Sequence, residues 1–141
     1  MKNKLIVFSA PSGSGKTTLV KYILEIFNEI KFSISATTRN PRGKEEDGKD
    51  YYFLSSEEFN NKIKNDEFLE YEEVYSGNYY GTLKSEIDRI WKIKKIVIFD
   101  IDAIGGANIK NMFPDETLSI FVMPPSIQVL KRRLLERGDV S

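Results

Sequence analysis

The fold is decided by the stretch Leu5-Ile6-Val7-Phe8-Ser9-Ala10-Pro11-Ser12-Gly13-Ser14-Gly15-Lys16-Thr17. Its first four residues form a continuous apolar run, which is typical of a strand buried on both faces. Beyond the turn, apolar residues recur at helical spacing at Leu19, Val20, Ile23, Leu24 and Phe27. This spacing predicts an amphipathic helix over residues 16 to about 30. A strand, a tight turn and a helix in this order predict the start of an α/β fold.

The turn between that strand and helix carries a phosphate-binding pattern. Its residues are Ala10, Pro11, Ser12, Gly13, Ser14, Gly15, Lys16 and Thr17, a P-loop in which alanine replaces the first glycine. Successive backbone N–H groups in such a loop can surround phosphate oxygens at the positive end of the helix. Lys16 can reach the β- and γ-phosphates, and the Thr17 hydroxyl can bind Mg²⁺. The pattern predicts binding of a nucleoside triphosphate, whereas a chance Gly/Ser-rich turn is disfavoured by the flanking strand and helix.

The composition restricts the classes of function. With 141 residues, 40% apolar and 30% charged, the chain fits one globular domain. Equal numbers of basic and acidic residues, 21 of each, give no general case for nucleic-acid or membrane partners. The chain has no cysteine and no histidine, which excludes disulfides, thiolate zinc sites and Ser-His-Asp triads. We expect a cytoplasmic protein, and the sequence leaves its oligomeric state open.

Two later apolar runs continue the α/β pattern. Residues 96–99, which lead into Asp100-Ile101-Asp102, and residues 118–122 are both predicted as buried strands. Residues 126–136 return to helical spacing. Alternating buried strands and helices predict a parallel sheet core flanked by helices, built from residues 1–32 and 83–136.

The middle of the chain, residues 33–82, has a different texture and holds six of the seven tyrosines. Short strand patterns occur at residues 53–54, 68–75 and 79–80, with a turn at Gly77-Asn78. Ser55, with Glu58 three residues later, predicts a capping box that opens a helix to about residue 65. We interpret this region as a β-rich insertion on the α/β core.

Two arginines lie near the start of the insertion. Residues 33–42 read SISATTRNPR, with Pro41 between Arg39 and Arg42. Guanidinium groups grip phosphate bidentately, so the pair is a candidate anion site. Taken alone, a loop of this kind is more commonly a solvated basic surface.

In order along the chain, the motifs resemble those of the guanylate kinase family. They are the P-loop, SxSxTTRxPR, GxDYxF, EFxEY, GNYYGT, DxD and a basic helix that ends in Arg-Gly, and they cover essentially the whole chain. The resemblance implies a P-loop kinase fold in which residues 33–82 bind GMP. It also implies transfer of the γ-phosphoryl group of ATP to GMP, with Mg²⁺ as the cofactor.

The resemblance further implies roles for individual residues. The GMP phosphate would be held by Arg39, Arg42, Tyr51 and Tyr80, and the guanine edge would be read by Ser35, Glu70 and Thr82, with Asp100 and Asp102 nearby. The catalytic residues would be Lys16, Arg39, Arg133 and Arg137. Glu70 also suits guanine chemically, because an ionised carboxylate accepts from both N1–H and the exocyclic amine. Without the resemblance, Glu70 has a less favoured alternative as a surface strand carboxylate. Tyr51, Tyr79 and Tyr80 have an alternative as aromatic strand packing, which we favour for Tyr79.

The remaining features of the sequence are two acids near the metal site, one residue that differs from the family pattern, and the start of the lid. Asp100 ends an apolar strand, as an acid that orients Mg²⁺ does, whereas Asp102 is as well placed to cap the next helix. The family usually has glutamine where this chain has Ile104. Residues 137–141 would begin a lid, which family members continue with another arginine, a final strand and a helix. A protein truly ending at residue 141 is expected to bind GMP better than ATP and to catalyse poorly.

Two other functions remain open from the sequence. Guanylate-kinase-like binding modules of scaffold proteins keep the GMP region but typically lose the P-loop lysine and glycines, and Gly13, Gly15 and Lys16 are intact here. A kinase for AMP or UMP would share the P-loop, but it has no reason to carry Glu70 together with the TTRxPR and NYYGT strings.

Overall fold

Two four-stranded sheets organise the residues that the computed structural model describes, which are 3–9, 16–74 and 77–121 together with 132 and 135. In chain order the elements are β1 (Leu5–Ser9), α1 (Lys16–Ile26), β2 (Ile30–Phe32), β3 (Ala36–Thr37), β4 (Tyr52–Phe53), α2 (Ser56–Lys64), β5 (Phe68–Glu73), β6 (Tyr79–Leu83), α3 (Lys84–Lys92), β7 (Ile96–Asp100), α4 (Ala103–Met112) and β8 (Thr117–Phe121). The first sheet has the strand order β2-β7-β1-β8, and the second has the order β4-β3-β6-β5.

All neighbouring strands of the first sheet are parallel. β1 lies between β7 and β8, with Leu5 opposite both Val97 and Thr117. The middle residues of β7, Val97–Phe99, are completely buried, because helices cover both faces of the sheet. The predicted parallel core is therefore confirmed.

Successive side chains of the central strands point to opposite faces of the sheet, and they belong to two separate hydrophobic clusters. One cluster combines Leu5, Val7, Val97 and Phe99 with Ile87 and Ile90 of α3 and Ile109 of α4. The other combines Phe8, Ile30 and Ile98 with Val20 of α1. α4 approaches β1 closely, since a Cβ atom on Gly106 would lie 2.7 Å from Cγ1 of Val7. This close approach sets where α4 begins relative to the ends of the strands.

The second sheet is mainly antiparallel and is covered by α2. β6 pairs antiparallel with both β3 and β5, whereas β3 and β4 are parallel. Phe59 of α2 is fully buried against Ala36, Phe68 and Leu83. The predicted capping box is confirmed: Ser55 Oγ accepts from the Glu58 amide at 3.0 Å, and Glu58 Oε1 accepts from the Ser55 amide at 2.8 Å.

The chain passes from the first sheet to the second through residues 33–35 and returns through α3. Neither α3 nor the two-residue strand β3 was predicted from the sequence. α3 follows β6 without an intervening loop, and its buried residues are Glu86, Ile87 and Ile90. The apolar pair packs on the first sheet, so α3 belongs to the core while its first turn faces the second sheet.

The predicted end of the first helix was wrong. α1 ends at Ile26, and Ile30–Phe32 is a strand rather than a last helical turn. Ile30 pairs with Ile96 and is buried in the cluster that contains Val20 of α1. Pairing with β7 therefore decides that residues 30–32 are extended. Ile30 and Phe32 fit an alternating strand pattern as well as a helical stripe.

Other strand boundaries also differ: β4 begins one residue earlier than the predicted residue 53, and β6 continues to Leu83 beyond the predicted residue 80. β5 ends at Glu73, short of the predicted residue 75, which lies outside the described residues. β8 begins one residue earlier than predicted, at Thr117, and residue 122 lies outside the described residues. The predicted helix at 126–136 also lies outside them, except that Arg132 and Leu135 are helical. Within the described part of the chain, no helix combines the length and apolar character needed to cross a membrane.

Candidate functional site

Arg39 is the centre of a hydrogen-bond network beside the second sheet. The residue is only 8% exposed, and it forms a bidentate ion pair in which Nη1 and Nη2 donate to Oε1 and Oε2 of Glu45 at 2.8 and 3.1 Å. Nη1 also donates to the carbonyl oxygen of Asn40 at 2.8 Å, and Nε donates to the Tyr80 hydroxyl at 3.0 Å. These bonds use four of the five guanidinium N–H groups, so the side chain is firmly oriented.

The surroundings of Arg39 favour its charged form. The bond to Glu45 raises the pKa of Arg39 and, in turn, lowers the pKa of the Glu45 carboxyl. The guanidinium carbon lies 5.1 Å from the ring centroid of Tyr51 and 5.9 Å from that of Phe53, within cation–π range. The second predicted arginine is close by, because the Arg42 amide donates to Oε1 of Glu45 at 2.8 Å. Glu45 therefore ties the two arginines together, which sequence reasoning missed.

Glu70 lies on β5 opposite Thr82 of β6. Thr82 is completely buried, and its hydroxyl donates to Oε2 of Glu70 at 3.0 Å. Burial raises the pKa of Glu70, while hydrogen bonds from Thr82 and Asn108 oppose the rise. A half-buried carboxylate with few donors has lone pairs available for a ligand that brings hydrogen-bond donors.

The beginning of α4 closes this end of the site. Asp102 caps the helix, since its Oδ1 accepts from the Gly105 amide at 2.8 Å. A Cβ atom on Gly105 would lie 3.2 Å from Oε1 of Glu70 and 3.3 Å from Oδ1 of Asp102. Both carboxylates therefore lie against the same glycine. Ile104, at the position of the usual glutamine, is 63% exposed and lies in the first turn of this helix.

β6 connects the two ends of the candidate site. Tyr80, which binds Arg39, and Thr82, which binds Glu70, are two residues apart on this strand. Residues two apart on a strand point to the same face, about 7 Å from each other. Ser35 directly precedes Ala36, which pairs with the intervening Gly81. The structure thus brings a guanidinium and a carboxylate to one face of the second sheet.

The carboxyl ends of the first sheet face this region. Asp100 ends β7 and lies opposite Phe8 of β1, whose chain leads into the phosphate-loop pattern. Burial raises the pKa of Tyr51, with a smaller contribution from the negative charge of Asp100, so these two side chains are electrostatic neighbours. α1 begins at Lys16, and its positive end points toward the same edge.

Several predicted residues lie outside the described part of the chain. These are Ala10, Pro11, Ser12, Gly13, Ser14, Gly15, Arg133 and Arg137, together with the side chains of Lys16 and Thr17.

Glu72 is a site residue that sequence reasoning missed. Its carboxyl shares a hydrogen bond with Asp102, and this contact, together with burial, raises the pKa of Glu72 to about 7. Glu70 and Glu72 lie two residues apart on β5, so the strand places both on one face. That spacing is the signal that could have identified it.

We expect Glu72→Gln to stabilise the protein at pH 8 but not near pH 4.5. The pKa of Glu72 is raised from 4.5 to about 7, so folding stability is highest below the lower value and falls as the pH rises toward the higher one. Glutamine mimics the protonated acid and removes this loss, which we place at about 1 kcal/mol after allowance for solvent screening. Urea unfolding across this pH range measures the difference. Glu73→Gln on the same strand controls for loss of a charge, and a pH-independent difference would contradict the assignment.

Comparison with known proteins agrees with this geometry. The family model described as Guanylate kinase matches residues 2–141. The guanylate kinase of Porphyromonas gingivalis is 54% identical over 139 residues, which cover 98% of this chain and 74% of that protein. The guanylate kinase of Bacteroides thetaiotaomicron is also 54% identical, over 98% of this chain and 68% of that protein.

A solved structure gives the same result. The crystal structure of guanylate kinase from Anaplasma phagocytophilum has a TM-score of 0.79 and 34% sequence identity to this chain, and the match covers 96% of this chain and 68% of that one. The fold has a parallel core and a second sheet that carries the Arg39 guanidinium and the Glu70 carboxylate on one face. Together with these matches, it leads to one conclusion: the chain belongs to the guanylate kinase family.

Proposed function

We propose that the protein transfers the γ-phosphoryl group of ATP to GMP, giving ADP and GDP. One observation carries this proposal: Tyr80 and Thr82, on one face of β6, bind the Arg39 guanidinium and the half-buried Glu70 carboxylate, which we take as the contacts for the two ends of the ligand. A nucleoside monophosphate has an anionic phosphate at one end and a base at the other. Membership of the guanylate kinase family supports guanine as that base.

The acceptor side uses residues of the region 33–82. Arg39, Arg42, Tyr51 and Tyr80 would bind the GMP phosphate, and Ser35, Glu70 and Thr82 would bind guanine, with Asp100 and Asp102 of the core nearby. Glu70 accepts hydrogen bonds from Thr82 and Asn108, and we expect its remaining lone pairs to accept from the N1–H and amine donors of guanine. Adenine offers no such pair of donors, so a buried acceptor discriminates against AMP.

The donor side uses the core, residues 1–32 and 83–136, and a lid that begins at residues 137–141. Residues 10–17 would hold the phosphates of ATP, and Lys16, Arg39, Arg133 and Arg137 would stabilise charge during transfer. Phosphoryl transfer depends mainly on positioning and electrostatics, so arginine and lysine suffice without a histidine base. The proposed partners are the two small-molecule substrates, in the cytoplasm.

Kinases of this family use a divalent metal with ATP, and we propose Mg²⁺. Asp100 offers a carboxylate at the end of β7, opposite Phe8 of β1, and Thr17 offers a hydroxyl; both are the hard oxygen ligands that Mg²⁺ prefers. Within residues 3–9, 16–74 and 77–121, no cluster of three or more acids forms a dedicated metal cage. This fits an ion held mainly by phosphate oxygens and water. When bound, the ion neutralises phosphate charge.

A comparison of acceptors tests the proposal. The purified protein is given ATP with GMP, dGMP, AMP or UMP, and ADP release is followed by a coupled assay, while calorimetry measures binding of each monophosphate separately. We expect tight binding of GMP and turnover with it, and much weaker binding and no turnover with AMP or UMP. Binding of GMP without ADP release would favour a non-catalytic binding module. Preference for AMP or UMP would indicate another nucleoside-monophosphate kinase.

A further inference from the structure

Glu86 is a buried carboxylate that the proposed reaction does not use. It lies in the first turn of α3, and its side chain is only 3% exposed. Burying an ionised carboxylate is costly unless hydrogen bonds and an opposite charge compensate for the lost hydration. The position of each compensating group therefore shows what this carboxylate holds in place.

Four donors converge on the two oxygens of Glu86. Oε1 accepts from the Ile34 amide at 2.8 Å and from Nη2 of Arg89 at 2.9 Å. Oε2 accepts from the Tyr52 hydroxyl at 2.9 Å and from Nε of Arg89 at 3.0 Å. Burial acts to raise the pKa of Glu86, but the bonds from Arg89, Ile34 and Tyr52 outweigh it and hold the pKa below its usual range. The carboxylate is therefore ionised at neutral pH.

The donors come from the second sheet and from both connections between the sheets. Ile34 lies in the passage from the first sheet to the second, and Tyr52 lies on β4 of the second sheet. Arg89 belongs to α3, the returning connection, and its Nη2 also donates to the carbonyl oxygen of Phe32 at the end of β2 at 3.2 Å. Glu86 thus joins the core to the second sheet at the place where the chain crosses between them.

The residues that Glu86 holds are direct neighbours of the proposed GMP ligands. Ser35 follows Ile34, and its carbonyl oxygen accepts from the Tyr52 amide at 2.9 Å. Tyr51, proposed to bind the phosphate, precedes Tyr52. A shift at either contact moves the backbone that carries one of these two ligands. Both the base end and the phosphate end of the acceptor site are affected.

We propose that Glu86 is a positioning residue for the acceptor nucleotide: its carboxylate fixes the passage at Ile34 and the strand at Tyr52, and so sets the spacing between the proposed guanine and phosphate contacts. This inference rests on the proposed function. It assigns Glu86 no contact with GMP and predicts that its loss weakens GMP binding without changing ATP binding.

Two variants test the inference. Tyr52→Phe removes one donor while the ring stays in place, and Glu86→Gln removes the charge at constant size. We expect each to weaken GMP binding about tenfold, the effect of losing one hydrogen bond to a charged group, with the affinity for ATP unchanged. The double variant should be little worse than the single ones, because both changes weaken the same contact between Glu86 and β4. Asp88→Asn, an exposed acid on the same helix, is the matched control and should bind GMP normally.

The outcomes separate this inference from the proposed function. Calorimetry with GMP and with ATP is combined with thermal unfolding, which shows whether each variant is folded. If Glu86→Gln does not fold, the GMP affinity of Tyr52→Phe decides the test. If the wild-type protein binds GMP and folded Tyr52→Phe binds it within twofold of wild type, the positioning role is overturned. Equal losses of GMP and ATP affinity would also overturn it, since they indicate a general structural effect. If the wild-type protein does not bind GMP, the proposed function fails as well.

Discussion

Arg39→Gln is expected to weaken GMP binding by about a hundredfold or more, the usual result of truncating one partner of a buried charge pair. Arg39 is oriented by four hydrogen bonds, and its guanidinium lies beside Tyr51 and Tyr80, two other proposed phosphate ligands. Arg39→Lys should not restore binding, since an ammonium group cannot reproduce the bidentate geometry. Calorimetry at fixed ionic strength measures the change.

A second variant separates binding from folding in this experiment. Arg39→Gln leaves the Glu45 carboxylate without its ion-pair partner, which by itself lowers stability. The double variant Arg39→Gln/Glu45→Gln removes that carboxylate charge and should recover thermal stability while GMP binding stays weak. Lys62→Gln breaks a more exposed ion pair in the same half of the molecule and is the control. A stable double variant that binds GMP like the wild type would refute the role of Arg39.

Glu70→Gln is expected to reduce GMP affinity by about a hundredfold and to leave AMP binding unchanged, because the site loses an acceptor that only guanine uses. A glutamine amide directs N–H donors at the guanine donors, so the contact becomes repulsive. Calorimetry with both nucleotides gives the ratio of affinities. The informative quantity is this ratio rather than either affinity alone.

Stability provides an independent check on Glu70→Gln. Burial raises the pKa of Glu70, so its ionised form destabilises the folded protein and glutamine should be tolerated at pH 8. Glu73→Gln, an exposed neighbour on β5, should leave both affinity and selectivity unaltered. Retained preference for GMP over AMP in Glu70→Gln would exclude Glu70 as the guanine-reading residue.

Features that depend on neighbouring residues could be predicted from the sequence. The capping box of Ser55 and Glu58 and the buried strands β1 and β7 are examples, since caps and continuous apolar runs have local physical causes. The strand Ile30–Phe32 could not be predicted, because its pattern fits two conformations and only pairing with β7 selects one.

In the candidate site, too, features with local causes could be predicted and features that depend on distant residues could not. The spacing of Arg39 and Arg42 pointed to an anion site, and the position of Asp102 pointed to a helix cap, which is confirmed. The spacing of Glu70 and Glu72 could have placed Glu72 on the face of the site, but its raised pKa and the role of Glu86 were not visible in the sequence. Glu72 acquires its raised pKa from Asp102, and Glu86 acquires its donors from Ile34 and Tyr52, all distant along the chain. Only the folded chain brings these groups together.

The ion pair between Arg39 and Glu45 has a consequence for how the phosphate group binds. The guanidinium is already paired with an internal anion, so a phosphate group that binds Arg39 as proposed has to exchange with the Glu45 carboxylate. We expect such an exchange to gain little from charge alone, so inorganic phosphate, which carries charge without a base, should compete weakly. We then expect selectivity for the complete nucleotide to come from the far end of the ligand, where the base binds.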